Sequence, residues 1–145
     1  MKVSVIITTY NSPEWLEKVL WGFLVQTHRD FEVVIADDGS TPHTRAVVAH
    51  FAKSTKLSLR HVWHEDRGFR KCRILNQAIE ESTADYLVFI DGDCIPRRDF
   101  IATHVRLARR GCFLSGGVVR LPMDLSRRIV ADDIVFGRAT DARWL

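Results

Sequence analysis

The sequence predicts an α/β protein with a mainly parallel sheet covered by helices on both faces, and three observations carry that prediction. Short, β-branched apolar runs alternate with segments whose apolar residues recur at helical spacing, the pattern of βαβ units. The length, 145 residues, suits one domain with a real core. Polar clusters stand where three of the apolar runs end, and in open parallel sheets ligands bind outside the carboxyl ends of the strands.

The elements follow in order. Val3 to Thr8 is short, apolar and β-branched, a buried strand. Asn11-Ser12-Pro13-Glu14 starts a helix, with a capping side chain and proline in the first turn. Leu16, Val19, Leu20, Phe23 and Leu24 give that helix one apolar face. Phe31 to Ala36 is a second strand, closed by Asp37-Asp38-Gly39-Ser40, and Ser40 or Thr41 is placed to cap a helix running through Phe51. Leu57 to Trp63 alternates like a third strand, and Ile74, Leu75, Ala78 and Ile79 mark an amphipathic helix. Tyr86 to Ile90 is continuously apolar, as expected of a strand covered on both faces. Pro96 to Arg110 reads as a further helix, and Cys112 to Leu121, around Gly116-Gly117, as a further strand.

Composition excludes several classes. A hydrophobic fraction of 46% with 27% charged residues is that of a globular protein, not a disordered or fibrous one. A net charge of only +3 permits an anionic partner without requiring nucleic acid. Cys72, Cys94 and Cys112 are odd in number and form no CxxC pair, which argues against a disulfide framework and a structural zinc site. Free thiols, and no charged leader before a cleavable apolar segment, point to the cytoplasm. No apolar run reaches the roughly 20 residues that span a bilayer.

The chemistry concentrates at strand ends. In Asp91-Gly92-Asp93 two carboxylates repel unless a positive group lies between them. A hard divalent cation with oxygen ligands meets that need, with a diphosphate completing its shell. Asp-Gly is also an ordinary turn pair, but here it closes the run Tyr86 to Ile90. Asp37-Asp38-Gly39-Ser40 likewise reads as a turn and cap, which accounts for one acid but not for two closing a buried strand. An acceptor there suits a base N–H or a ribose hydroxyl. Thr8-Thr9-Tyr10-Asn11 stands where a dinucleotide-binding glycine loop would be, yet no GxGxxG follows this strand and no GxxxxGK[ST] occurs anywhere. Tyr10 could pack on a nucleobase and Thr8 hydrogen-bond it. Arg67, Arg70, Lys71 and Arg73 crowd the start of the helix carrying Ile74 to Ile79, an unfavourable place for cations unless a phosphate joins them. His61 and His64 read as surface residues.

Taken together these motifs resemble the family 2 glycosyltransferases, inverting enzymes of the GT-A fold. The resemblance runs from Val3 to about Leu121: Val3 to Asn11, Gln26-Thr27, Phe31 to Thr41, Gly68 to Arg73, Asn76-Gln77-Ala78, and Phe89 to Asp93. It implies that Thr8, Tyr10 and Asp38 hold the nucleobase, usually uracil, and that Arg70 or Arg73 lies near the diphosphate. It further implies that Asp91 contacts ribose and metal and that Asp93 ligates Mn²⁺ or Mg²⁺. The implied reaction transfers a hexose from a UDP-sugar to an acceptor hydroxyl with inversion, the metal stabilising the departing diphosphate. The Gly68-Phe69-Arg70 stretch looks closest to bacterial members that build surface polysaccharides.

On this reading residues 1–121 form the nucleotide-sugar-binding core, and residues 122–145 begin an incomplete acceptor-side region of the same domain. The chain then reads as a truncated enzyme whose catalytic base lies beyond Leu145, and which binds donor without turning over. Asp132-Asp133 read as solvated helix acids rather than the base. The acceptor is expected to be a saccharide or a lipid-linked group, the latter with peripheral attachment to the inner membrane face, and uncovered apolar faces leave room for a homodimer. Two other readings stay open here. One is an aspartate-nucleophile phosphohydrolase using Asp91 and Asp93, with Asp132-Asp133 as a later acidic pair. The other is a nucleotide-binding module without catalysis.

Overall fold

The computed structural model describes residues 1–144. Strands β1 (Val3–Thr9), β2 (Phe31–Asp37), β3 (Leu59–Trp63) and β4 (Tyr86–Asp91) form one sheet in the order β3-β2-β1-β4. Every pairing is parallel, with Thr8 in register with Ala36 and Asp91, and Asp37 with Trp63. The register brings the carboxyl ends of all four strands to one edge. Helices α1 (Pro13–Leu24), α2 (Pro42–Ser54), α3 (Lys71–Glu81) and α4 (Phe100–Leu107) supply the crossovers and cover. Short helices α5 (Met123–Arg128) and α6 (Ala131–Val135) follow.

Because side chains alternate along a strand, β1 feeds two cores. Val3, Val5 and Ile7 pack with Leu16, Val19, Leu20 and Phe23 of α1, Val48 and Phe51 of α2, and Ile101 of α4. Ile6 faces the other way and joins Val34, Ala36 and Val62 against Ile74 and Ala78 of α3. Each fully buried aliphatic or aromatic side chain contributes about 1.5–3 kcal/mol, so α1 and α2, with the larger set, anchor the sheet more firmly than α3.

A buried amide joins the first helix to the segment that runs from Arg97 into α4. Gln26 Nε2 donates to the carbonyls of Gly22 (3.0 Å) and Arg97 (2.7 Å), and Oε1 accepts Ile101 N–H (3.0 Å). Thr27 N–H donates to Arg98 C=O at 2.8 Å. A Cβ on Gly22 would lie 2.6 Å from Pro96 Cδ, so the chain leaving Asp93 packs directly on the helix.

Several expectations are corrected. Residues 112–121 pair with no strand. Gly111, Gly116 and Gly117 add backbone entropy, and without a ladder partner Phe113, Val118 and Val119 stay 90%, 71% and 79% exposed. β4 is not covered on both faces: among the described residues it pairs only with β1, and Phe89 is 52% exposed. The helix expected from Pro96 starts at Phe100, after a turn through Arg97. Ser12 and Thr41 occupy the N-cap positions of α1 and α2 without side-chain cap bonds. Ser12 Oγ donates instead to Tyr10 C=O (3.0 Å), and Asn11 Oδ1 accepts Thr41 N–H (2.9 Å). Asp133 is not solvated: it accepts Val130 N–H (3.0 Å) and pairs with Arg138 Nε (2.8 Å), which together hold its carboxyl below the ordinary range. Residues 122–144 pack back on the core, where Ile129, Ile134 and Ala139 meet Trp21, Ile95 and Leu121.

Candidate nucleotide-sugar site

The strand ends open onto a cleft of about 500 Å³, lined by Thr8, Tyr10, Trp15, Asp38, Phe69, Lys71, Asp91 and Asp93 among others. That volume suits a small-molecule ligand.

The acidic turn lies against the central strand. Gly92 N–H donates to Thr8 C=O at 2.8 Å, and a Cβ on Gly92 would lie 2.6 Å from that oxygen. Only glycine lets the turn sit this close to β1. Asp91 Oδ1 accepts Lys71 Nζ (2.7 Å) and Thr8 Oγ1 (2.9 Å). The Lys71 ammonium, assisted by Thr8 and opposed by partial burial, holds the Asp91 carboxyl below its ordinary value. Asp93 is exposed and makes no ion pair among the described residues; its only neighbour of note is the Cys94 thiol at 3.5 Å. Burial and the neighbouring carboxylates of Asp93 and Asp91 push that thiol up to about 11.

The residues present fit a divalent cation of the Mg²⁺ or Mn²⁺ type. Among the described residues no group of three or more His, Cys, Asp or Glu could enclose an ion. An open pair of carboxylates, Asp91 and Asp93, is what such cations use when substrate phosphate and water complete the shell.

The second acidic cluster divides its labour. Asp37 is fully buried, with Oδ1 accepting Ser40 N–H (2.8 Å) and Oδ2 bonded to His61 Nε2 (2.8 Å). Burial alone would raise its carboxyl; the bonds from His61 and Ser40 outweigh that and lower it. Asp38 lines the cleft, with Oδ1 2.6 Å from His64 Nε2 and Oδ2 accepting Arg70 N–H at 2.9 Å. The loop from His64 to Arg70 crosses over this turn: Gly39, at φ 92°, has Asp66 Cα 2.6 Å from where a Cβ would be. Tyr10 Oη donates to Asp66 Oδ2 (2.9 Å), which raises the phenol above its ordinary value, while Asp66 Oδ1 accepts Gly68 N–H (3.0 Å).

The cleft thus gathers Thr8, Tyr10, Asp38, Asp91 and Asp93 from three separate stretches of chain. Arg70 and Arg73, expected near the diphosphate, are not among its lining residues; Lys71, between them, is. Arg70 turns its guanidinium to the carbonyl of Glu65 and lends the site only its backbone N–H. His61 and His64 are not surface residues but partners of Asp37 and Asp38. The signal is the strand register, which the structure supplies: with Asp37 in register with Trp63, residue 64 falls beside Asp38. Asp132 and Asp133 do not line the cleft, which removes the later acidic pair required by the phosphohydrolase reading.

An all-parallel sheet flanked by helices, with its strand ends sharing one acid-lined cleft, is an open α/β domain, and its likeness to solved structures makes this the GT-A fold. The chain belongs to glycosyl transferase family 2, whose model matches residues 4–137. It is 38% identical to validoxylamine A glucosyltransferase of Streptomyces hygroscopicus over 91 residues, covering 61% of this chain and 21% of that protein. The crystal structure of S. aureus TarS 1-349 in complex with UDP-GlcNAc superposes with a TM-score of 0.62 at 26% identity, covering 73% of this chain and 30% of that one. Mannosyltransferase PcManGT from Pyrobaculum calidifontis, in complex with GDP-Man and Mn²⁺, gives 0.64 at 32% identity, covering 75% and 33%. The chain spans only 28%, 18% and 26% of the length of three further curated relatives. No helix among the described residues is long and apolar enough to cross a membrane.

Proposed function

We propose that this chain is the donor-binding part of a glycosyltransferase that uses a nucleoside-diphosphate sugar, with UDP-sugar the first candidate, together with Mn²⁺ or Mg²⁺. The observation that carries the reading is the convergence of Asp38, Lys71, Asp91 and Asp93 on one cleft at the carboxyl edge of the sheet. Binding of UDP-GlcNAc by TarS and of GDP-Man with Mn²⁺ by PcManGT supports a nucleotide-sugar ligand and a divalent cation.

In this reading Thr8, Tyr10 and Asp38 face the nucleoside end of the donor, and Lys71 lies where a diphosphate would meet the acidic turn. Asp91 and Asp93 would hold the metal, which supplies Lewis-acid stabilisation of charge on the leaving diphosphate. Transfer is written with inversion. An acceptor hydroxyl oxygen bonds to the anomeric carbon as the bond from that carbon to the diphosphate oxygen breaks. The hydroxyl proton passes to a base, and Lys71 offsets charge left on the nucleotide. In this reading every cleft acid is assigned to the donor, so none of them is assigned as the base. A saccharide or lipid-linked acceptor, a role in surface-polysaccharide or glycoconjugate synthesis, and a cytoplasmic location at the inner membrane face complete the proposal.

Calorimetric titration of UDP into the chain, with Mn²⁺ and then with EDTA, tests it. Binding should require the metal and disappear in Asp93→Ala. A chain that binds none of UDP, GDP, CDP or dTDP in the presence of Mn²⁺ would not be a donor-binding domain.

A further inference from the structure

The donor-site reading leaves His61 and His64 without a task, although both are bonded to acids at the strand ends. The two pairs face different things. Asp37 is fully buried, and both of its oxygens are used within the protein, by His61 and by Ser40 N–H; this pair braces the turn. Asp38 lines the cleft. Its Oδ1 meets His64 Nε2 at 2.6 Å and its Oδ2 accepts Arg70 N–H at 2.9 Å. The carboxylate is thus gripped from the end of β3 and from the start of α3. Each carboxylate oxygen accepts about two hydrogen bonds, so each keeps one acceptor position after these contacts.

His64 itself is well packed, with a side chain 12% exposed and Nδ1 buried without a hydrogen-bond partner. An N–H at Nδ1 would be a buried unpaired donor, which is unfavourable. The ring proton therefore belongs on Nε2, where it is donated to Asp38. Two donors aimed at Asp38 leave it an acceptor only.

We propose that His64 is a positioning residue for nucleobase choice. By donating Nε2–H to Asp38 it fixes that carboxylate as an oriented acceptor. The cleft then takes bases that present a ring N–H on their pairing edge, such as uracil or guanine, and rejects cytosine, whose ring N3 is itself an acceptor. This inference rests on the donor-site reading of Asp38. A site built to receive an N–H discriminates against a ligand that lacks it: cytosine would set its N3 lone pair against the free acceptor positions of Asp38 and forgo the charge-assisted bond that uracil or guanine makes. Without His64, Asp38 keeps one of its two tethers and can turn away from the base edge.

The test compares UDP, GDP and CDP binding in the presence of Mn²⁺ for the wild-type chain, His64→Gln, His64→Asn and His64→Leu. Glutamine places an amide N–H near the position of Nε2; asparagine is too short to reach Asp38, and leucine has no donor. Wild-type protein and His64→Gln should prefer UDP or GDP over CDP by about tenfold or more, one hydrogen bond to a charged group. In His64→Asn and His64→Leu the preference should collapse to within about threefold, with CDP affinity little changed. The inference is overturned if either donor-free variant keeps the wild-type ratio. Equal weakening of all three nucleotides overturns it too, since that marks a purely structural role, and so does a wild-type preference for CDP. A wild-type chain that binds no nucleotide defeats the donor-site reading itself, and this inference with it.

Discussion

Lys71→Met should move two affinities in opposite directions. In the free protein the Lys71 ammonium sits 2.7 Å from Asp91 Oδ1, on one of the two carboxylates assigned to the metal. The pair is well hydrated, with side chains 39% and 61% exposed, so it contributes about 0.2–1 kcal/mol. Any cation that binds Asp91 must repel or displace that ammonium. Methionine keeps the length and much of the apolar contact of the stem while removing the charge. Mn²⁺ binding in the absence of nucleotide should therefore tighten, by up to about fivefold, the equivalent of 1 kcal/mol. Nucleotide binding should weaken. A charge-assisted hydrogen bond to phosphate contributes about 1.5–3 kcal/mol, so UDP affinity with Mn²⁺ saturating should fall by about tenfold or more. Calorimetry of Mn²⁺ alone, then of UDP with saturating Mn²⁺, separates the two effects. Weaker Mn²⁺ binding in the variant would mean that Lys71 supports the metal site rather than competing with it. Unchanged UDP binding would remove Lys71 from the diphosphate.

Two further predictions concern the scaffold. Gly39→Ala should destabilise by about 2–4 kcal/mol in urea unfolding, combining an unfavourable left-handed φ with overpacking against Asp66 Cα at 2.6 Å; an unchanged midpoint would mean that the loop carrying His64 to Arg70 is not locked onto this turn. Acid should destabilise the fold through Asp37. Its carboxyl is lowered in the folded state, so its contribution is present in full above the ordinary carboxylate value of 3.8 and is lost as pH falls through the lower folded value. Urea midpoints of wild type and Asp37→Asn should differ at pH 7 and converge in the acid range below that value; a constant difference would refute the assignment.

The sheet and its helices were legible because their signals are periodic and local. β1 and β2 announce themselves by β-branched content, β3 by alternation, and α1 and α3 by apolar residues at helical spacing, whose buried faces hold Leu16, Val19, Leu20 and Phe23 in one case and Ile74 and Ala78 in the other. The acids at the strand ends were legible for the same reason: topology alone carries Asp38, Asp91 and Asp93 to one edge. What composition and spacing could not settle was pairing. Residues 112–121 have the content of a strand and two adjacent glycines, yet a strand is defined by a neighbour, and none of the four present pairs with it. The continuous apolar run of β4 was read as buried on both faces, but coverage depends on what stands beside a strand, not on its own residues.

The same limit explains the cations and histidines. Charge density at the helix start singles out the group Arg67, Arg70, Lys71 and Arg73, and the family resemblance points within it to Arg70 or Arg73 for the phosphate. The structure selects by direction instead. Arg70 caps the loop by reaching back to Glu65, Arg73 does not line the cleft, and Lys71 alone of this stretch brings its charge to the acidic turn. On sequence grounds His64, like His61, is an ordinary surface histidine beside a strand. It becomes informative only once parallel register sets residue 64 beside residue 38. Strand register converts two unrelated sequence positions into a bonded pair, so the residues that aim a catalytic or binding acid are found by following register outward from the acid. Applied at the other end of the sheet, the rule leads from Asp91 to its partner Thr8 on β1, whose hydroxyl is indeed bonded to that carboxylate. The acids at both proposed ends of the cleft are therefore held by the same device, a side chain on or just beyond the neighbouring parallel strand.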